Sequence, residues 1–443
     1  MKQIKVLHLG YSDSEGGAAR AAARIHNSML QQKNSIPIDS KSYVVKKHSE
    51  LSNTFSINQG LVPLRRKAGS MFSRILIGAQ SDNSSQAQSL AFPSSGIGSK
   101  LNREYQEKSL DLVQLHWIGY GTISIEEIGR LQMPVFWRLA DQWAILGAEH
   151  YHNEGFGNER KSRYETGYLK QNRPFNQTGL DINRWVWRRK EKSWIDKIGI
   201  ICPSNWMQEC VSKSWLMRDF PTRVIPTPMD LEKWSPGDRS KARLNLGLPS
   251  KSKIVLLTAE GGLSKERKGG KLLIEAIKYM KETNTAIYRD FFLVVTGDDL
   301  DLQALGMDNE KVVSVGHIND DVKMRDLYRS SDVVVIPSLA DNLPGTGLEA
   351  QACGIPVVAF RTGGLSDVVE HQKTGLLAKA FNYKDLSYCL CLILSSQDRT
   401  MEFGSAARQR ANFLWNPQSV VKSYYDFYME NLDNLKRLPR SIS

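Results

Sequence analysis

The chain has 443 residues, 41% of them hydrophobic and 24% charged, and a formal net charge of +12. Single cores stop growing at roughly 250–300 residues, so the length argues against one domain and for two. No apolar run reaches the ~18–20 residues that span a bilayer, and the opening Met1-Lys-Gln-Ile-Lys-Val-Leu-His-Leu-Gly10 is too poor in apolar residues for a signal peptide. The five cysteines show no metal-type spacing, which fits a reduced, cytoplasmic protein. Cys389 and Cys391 alternate with apolar residues and read as packing. The positive charge leaves nucleic acid, an anionic membrane surface or phosphorylated small molecules as partners. No helix-turn-helix, zinc-finger or RNA-binding motif is present, so no nucleic-acid partner is expected.

In chain order, residues 4–9 read as a buried strand, followed by a glycine-containing loop with Gly16 and Gly17 and an Ala-rich helix over 18–31. Residues 46–100 are polar and resist assignment. Strands are expected over 112–116, 135–139 and 198–202, and Pro203-Ser204 supplies a turn and helix cap. The polar stretch 152–177 reads as an irregular insertion. Two basic stretches, 61–77 and 184–194, mix Lys and Arg with apolar or aromatic residues at helical spacing. Each is either an amphipathic helix packed on the protein or a contact with an anionic membrane.

Two prolines at 226 and 228 mark a linker, after which the pattern restarts. Strands are expected over 253–258, 291–296, 312–315, 333–337 and 357–360, with helices over 271–281, 322–330 and 347–352. Apolar strands alternating with helices predict a parallel sheet covered on both faces in each half. The stretch 406–438 is helical and aromatic-rich, and predicts a segment crossing back to the first domain. The expected boundaries are 1–225, 226–405 and 406–443.

The most informative segment runs from Ser338 through Asp341, Gly345, Thr346, Gly347 and Leu348 to Glu349. It leaves a strand and opens a helix, so its free backbone N–H groups suit a diphosphate. Carboxylates beside a phosphate site grip hydroxyls, because like charges repel. The pair Asp341 and Glu349 thus points to a ribose diol or a sugar ring.

This segment resembles the Glu-x7-Glu motif of family 4 retaining glycosyltransferases. Gly16-Gly17, Pro203-Ser204-Asn-Trp206, Lys268-Gly269 and Gly363-Gly364 match the family in order, and the stretch from Trp137 to His150-Tyr151 looks like a polysaccharide-building subgroup. The resemblance implies the GT-B fold: α/β, two doubly wound Rossmann-like domains facing a cleft, with a C-terminal helix crossing back. It implies a retaining, metal-independent glycosyltransferase that moves a sugar from a nucleoside diphosphate sugar to a glycan or lipid-linked saccharide, with no cofactor. Carried over residue by residue, Glu349 would bind ribose hydroxyls and Asp341, where the family has Glu, donor-sugar hydroxyls. The backbone of Gly345 to Leu348 would cradle phosphate, with Gly16 and Gly17 also on the donor. Lys268 would neutralise the leaving diphosphate, which is where a rate gain without metal lies. Arg267 or Lys265 would add a second cation, since Gly262 stands at the family's usual Arg.

Ala140 stands where the family has His, before Asp141. Alanine cannot hydrogen-bond through its side chain, and Asp141 either faces an acceptor or caps a helix. The loss favours the alternative reading, a non-catalytic subunit that binds sugar nucleotide or glycan. Asp299-Leu-Asp301 reads as a polar loop and not a metal site. A cytoplasmic location is expected, and peripheral contact with the inner face of the membrane stays open.

Overall fold

A computed structural model describes residues 2–58, 62–78, 80–81, 89–91, 96–152, 162–174, 177–258, 266–297 and 309–436. Lys265, Gly262, the acidic run 298–301 and parts of the 152–177 insertion lie outside the described residues. The chain divides into two compact units, Met1–Pro228 with Pro417–Ser443, and Met229–Asn416.

The first unit holds β1 (Ile4–Ser12), β2 (Ile38–Lys46), β3 (Thr54–Ser56), β4 (Gln80–Ser81), β5 (Leu112–Leu115), β6 (Val135–Arg138), β7 (Thr178–Gly179), β8 (Gly199–Cys202) and β9 (Thr222–Val224). Strands β4 and β7 make a small antiparallel ribbon. The other seven form one parallel sheet in the order β3-β2-β1-β5-β6-β8-β9. The inner strands β5, β6 and β8 are buried along their whole length, as a parallel sheet covered on both faces requires. The order reverses direction between β1 and β5, so the loops leaving those two strands diverge there and open a crevice at their carboxyl ends.

The helix Pro417–Asn431 belongs to this unit and buries Val420, Val421, Tyr424, Tyr425, Phe427 and Tyr428 against Ile4, Val6, Phe136 and Ile201. Tyr425 donates its hydroxyl to the Lys2 carbonyl at 2.8 Å. Gly199 makes room for the Phe136 ring that packs on Phe427 and Tyr428, because a Cβ there would lie 2.4 Å from it. The expected break at 406 falls inside a helix, Gln397–Leu414, that stays with the second unit by burying Phe403, Ala407 and Ala411. The hand-over comes at Pro417, whose missing N–H and fixed φ suit a first helical residue.

The second unit holds β10 (Lys253–Thr258), β11 (Phe291–Thr296), β12 (Val312–Ser314), β13 (Val333–Ile336), β14 (Val357–Phe360) and β15 (Gly375–Ala378). They pair in parallel in the order β12-β11-β10-β13-β14-β15. Counted within the unit this is the 3-2-1-4-5-6 order of a doubly wound nucleotide-binding sheet, with its switch point between β10 and β13. Separate apolar layers cover the two faces, one around Leu273, Phe291 and Leu390 and the other around Leu256, Leu348 and Trp415.

The two basic stretches behave differently. The helix Ile182–Ser193 is used for packing: Val186, Trp187, Lys190 and the following Trp194 are buried, and Arg189 donates to both Glu126 oxygens at 2.7 and 2.8 Å. The helix Val62–Gly78 packs Leu76 and Ile77 on the core but exposes Leu64, Met71 and Ile75, each by more than 60%.

Candidate functional site

At the switch point of the second unit, the loops after β10 and β13 are tied backbone to backbone. Leu339 N–H donates to the Arg267 carbonyl at 2.8 Å, and Arg267 Nη1 donates to the Ala340 carbonyl at 2.7 Å. Gly269 makes the approach possible, with φ +70° and a hypothetical Cβ only 1.8 Å from the Pro337 carbonyl oxygen. The positive φ favours glycine, and the carbonyl contact leaves no space for a Cβ. Lys268 Nζ then reaches Asp341 Oδ2 at 2.8 Å, with Arg267 Nη1 3.7 Å from the same oxygen.

Asp341 is the hub of this cluster. Its Oδ1 accepts from the Asn342 N–H at 3.1 Å and its Oδ2 from Ser338 Oγ at 3.3 Å. Burial alone would raise its pKa, but the Lys268 and Arg267 charges and these hydrogen bonds outweigh burial and hold the carboxyl below its ordinary range. The later glycine pair packs on the same residue: Gly364 N–H donates to the Asp341 carbonyl at 2.9 Å, and a Cβ on Gly363, at φ +51°, would come within 2.4 Å of that oxygen.

Glu349 lies in the helix Gly345–Ala352, where Tyr328 donates its hydroxyl to Oε2 at 2.7 Å. Tyr328 is fully buried, so the carboxylate is oriented by a rigid partner. The helix starts at Pro344 without a side-chain cap. The N–H groups of Gly347 and Leu348 already bond the Pro344 carbonyl, at 3.0 and 3.4 Å. Those of Gly345 and Thr346 find no acceptor among the described residues, so the anion-binding capacity falls on these two. Gly347 serves packing, since a Cβ would meet Val368 at 2.7 Å. Two cations, two open N–H groups and two oriented carboxylates at the carboxyl ends of central strands can hold a phosphorylated diol.

Gly16, Gly17 and Asp141 lie in the first unit, while Lys268, Arg267, Asp341, Glu349 and Gly345 to Leu348 lie in the second. Gly16, at φ +88°, precedes the helix Gly17–Gln31. Asp141 opens onto a cavity of about 420 Å³ lined among others by Tyr11, Ser89, Trp117, Tyr120, Ala140 and His150. This cavity occupies the switch point of the first sheet, between the loops that leave β1 and β5. Asp141 Oδ2 accepts from the Trp117 indole at 3.1 Å and from His150 Nδ1 at 2.7 Å, and Oδ1 accepts from the Trp143 N–H at 3.0 Å. Burial opposes ionisation here too, but His150 and these donors hold the Asp141 carboxyl below its ordinary range. No helix starts directly after Asp141, so the bond from the Trp143 N–H closes a turn and does not cap a helix.

Lys190 fixes the loop between Asp141 and His150 by donating to the carbonyls of Trp143, Leu146 at 2.9 Å and Gly147 at 2.7 Å. Sequence reasoning had not singled out Tyr328, Ser89, Tyr11, Trp117 or Tyr120. The available signal was Gly119-Tyr120-Gly121 shortly after a strand, an aromatic residue between two turn-formers.

The architecture of both units defines the class: the fold is that of the GT-B glycosyltransferases, with a TM-score of 0.66 to sucrose-phosphate synthase from Thermosynechococcus elongatus, at 17% identity over 98% of this chain and 100% of that one. Anabaena Alr3699/HepE in complex with UDP-glucose gives 0.64 at 17% identity, over 97% of this chain and 100% of that one. More particularly, residues 238–410 match the family Glycosyl transferases group 1, which bears out the resemblance to family 4. A D-inositol 3-phosphate glycosyltransferase 2 of Catenulispora acidiphila is 27% identical over 53% of this chain and 57% of its own length. The chain spans about half the length of the curated relatives it matches. No described helix is long and apolar enough to cross a membrane.

Proposed function

We propose that the chain is a retaining glycosyltransferase that takes a sugar from a nucleoside diphosphate sugar and passes it to a glycan or lipid-linked saccharide. The observation that carries this reading is the Arg267, Lys268 and Asp341 cluster, joined to Glu349 and Tyr328 at the switch point of a 3-2-1-4-5-6 sheet. The UDP-glucose complex of a protein with the same fold supports a nucleotide sugar as donor.

In this reading Glu349, held by Tyr328, accepts the ribose hydroxyls. The incoming diphosphate draws Lys268 from Asp341 and lies over the N–H groups of Gly345 and Thr346. Asp341, released from its tightest partner, turns to the hydroxyls of the donor sugar. As the bond to the diphosphate breaks, Lys268 and Arg267 meet the charge that develops on the leaving oxygen, so the reaction needs no metal. Gly16 and Gly17 have nothing within 4 Å of where a Cβ would stand, which leaves the backbone of the first unit open to a phosphorylated ligand. The exposed apolar stripe of Val62–Gly78, in a stretch with Arg65, Arg66, Lys67 and Arg74 and no acid, suits peripheral binding to an anionic membrane that carries the acceptor.

The test is release of nucleoside diphosphate from UDP-, GDP- and ADP-glucose by purified protein, with and without EDTA. Release from one donor, lost in Lys268→Ala and unaffected by EDTA, supports the reading. Binding of a nucleotide sugar without any turnover would favour the non-catalytic subunit, for which Ala140 is the argument. Turnover that EDTA abolishes would refute metal independence.

A further inference from the structure

The cavity of the first unit contains an arrangement that donor binding does not use. Ser89 Oγ lies 2.8 Å from His150 Nε2, and His150 Nδ1 lies 2.7 Å from Asp141 Oδ2. Ser89 comes from one segment and Asp141 and His150 from the two ends of another loop, and all three line one cavity. In the tautomer that places the ring proton on Nδ1, toward Asp141, Nε2 accepts from the Ser89 hydroxyl and the lone pairs of the Ser89 oxygen are left to accept from a ligand.

Considerable structure is spent on holding this line. Ser89 N–H donates to the Ala148 carbonyl at 2.8 Å, and the Trp143 indole donates to the Ser89 carbonyl at 2.8 Å. Arg189 clamps the Leu90 and Ala91 carbonyls at 2.6 and 3.1 Å. Ala91 has φ +45° and Tyr120 φ +52°, so two of the six non-glycine residues with positive φ among those described line this cavity. Such conformations cost of order 1–3 kcal/mol each and gather at functional sites.

The walls suit a sugar ring. Tyr120 is 71% exposed, and Tyr11, Trp117 and Tyr120 stand with ring centroids 5.0–5.9 Å apart. An exposed aromatic cluster offers an apolar face to the C–H side of a pyranose, while polar groups at the edge read its hydroxyls. His116, which lines the cavity and is 3% exposed, has an Nδ1 with no partner among the described residues. At about 420 Å³ the cavity falls in the size range of small-ligand pockets.

We propose that this cavity is a saccharide subsite in which Ser89 accepts a hydrogen bond from one sugar hydroxyl, with His150 and Asp141 as positioning residues that fix the direction of that bond. His150 thereby returns to the cavity the imidazole that is missing at Ala140. The path of its return is visible: the Gln142 N–H donates to the His150 carbonyl at 3.0 Å, so the loop folds back onto its own start. The proposal rests on the glycosyltransferase reading and deepens it to the acceptor side.

The probes are methyl glycosides of glucose, galactose, mannose and N-acetylglucosamine, observed by saturation-transfer NMR, with nucleoside diphosphate titrated separately. At least one glycoside should bind, with its signal lost in Tyr120→Ala, kept in Tyr120→Trp and unchanged in Lys268→Ala. Ser89→Ala and His150→Gln should each weaken it roughly 3- to 10-fold, the worth of one hydrogen bond. One deoxy analogue of that glycoside should bind wild type as weakly as the parent binds Ser89→Ala, with no further loss in the variant. A merely structural role of Ser89 would weaken parent and analogues alike, and that result overturns the proposal. Nucleotide binding without any glycoside binding sinks the proposal and leaves the donor site standing, whereas loss of nucleotide binding sinks the parent reading. Covalent labelling of Ser89 by a fluorophosphonate would mark it as an acyl-transfer nucleophile and overturn the hydroxyl-binding role.

Discussion

Removing Lys268 and removing Asp341 should have opposite effects on nucleotide affinity, although the two residues form one ion pair. Lys268 Nζ is 2.8 Å from Asp341 Oδ2, and its side chain is 26% exposed, so it can reach a ligand without unfolding its surroundings. A charge-assisted hydrogen bond to phosphate contributes about 1.5–3 kcal/mol. Lys268→Ala should therefore weaken a nucleoside diphosphate by roughly 10- to 150-fold. Stability should fall by about 1 kcal/mol or less, because Arg267, Ser338 and the Asn342 N–H still face the carboxylate. Asp341→Asn frees Lys268, so the bare nucleoside diphosphate should bind at least as well as to wild type. The extra affinity for the sugar-bearing form should vanish, since its hydroxyls lose their acceptor. Isothermal titration with paired nucleoside diphosphates and their glucose conjugates separates these outcomes. The scheme is refuted if Lys268→Ala binds like wild type, or if Asp341→Asn loses the bare nucleotide as heavily as Lys268→Ala does.

Glu349→Ala should abolish discrimination between ribo- and 2′-deoxyribonucleoside diphosphates, and Tyr328→Phe should weaken the ribo form roughly 3- to 10-fold by freeing the carboxylate; unchanged discrimination in Glu349→Ala would remove the ribose role. Replacing Leu64, Met71 and Ile75 together by Ser should prevent co-flotation with vesicles containing phosphatidylserine at low salt, while wild type floats; wild type that stays in the buffer excludes the membrane contact. His8 and His116 are buried at 2.9 Å from each other, and burial, reinforced by the neighbouring His116 and His26 for the first and by Arg138 and His26 for the second, lowers both pKa values well below the ordinary value. The unfolded chain takes up protons first, so stability is intact above about pH 6.5 and falls as pH drops below it, by up to about 1.4 kcal/mol per pH unit for each group. Urea melts at pH 7 and pH 5 that coincide would contradict this. Lys190→Met strands three buried carbonyls and should cost roughly 3 kcal/mol, seen as a fall in Tm of roughly 6–12 °C; a Tm within a degree of wild type would show that the loop carrying His150 is held by other contacts.

The inner strands of the second unit could be read directly, because Lys253–Thr258, Phe291–Thr296, Val333–Ile336 and Val357–Phe360 are nearly continuous apolar runs. Thr54–Ser56 and Thr222–Val224 could not, since a three-residue edge strand has only one sheet neighbour and no run to betray it. Gly375–Ala378 sits at an edge of the second sheet, where its glycine and its length of four residues leave too short an apolar run to read. Lys268, Asp341 and Glu349 were legible only as members of an ordered motif. Nothing local shows that a lysine meets a carboxylate 73 positions later, or that Tyr328 will orient Glu349. The Ser89, His150 and Asp141 line is further from sequence still, because the loop from Asp141 to His150 must fold back on itself and then meet Ser89 before its chemistry exists.

Backbone strain marks where that convergence happens. Next to the reversal of strand order in the second sheet stand Gly269 at φ +70° and Gly363 at φ +51°; next to that of the first stand Gly16 at φ +88°, Tyr120 at φ +52° and Gly121 at φ +74°. Three of the glycines differ in what they need. Gly269 and Gly363 meet carbonyl oxygens at distances that forbid a Cβ, whereas Gly16 has open space around it and requires only its φ. Close packing explains the first two without any ligand. It does not explain Gly16, and Tyr120 stays 71% exposed in a left-handed conformation although its ring meets those of Tyr11 and Trp117. Residues that depart from local preference while staying open to solvent are where a fold accommodates something else. On that ground the first unit, whose motif match was the weaker, makes the stronger structural case for a ligand at its switch point.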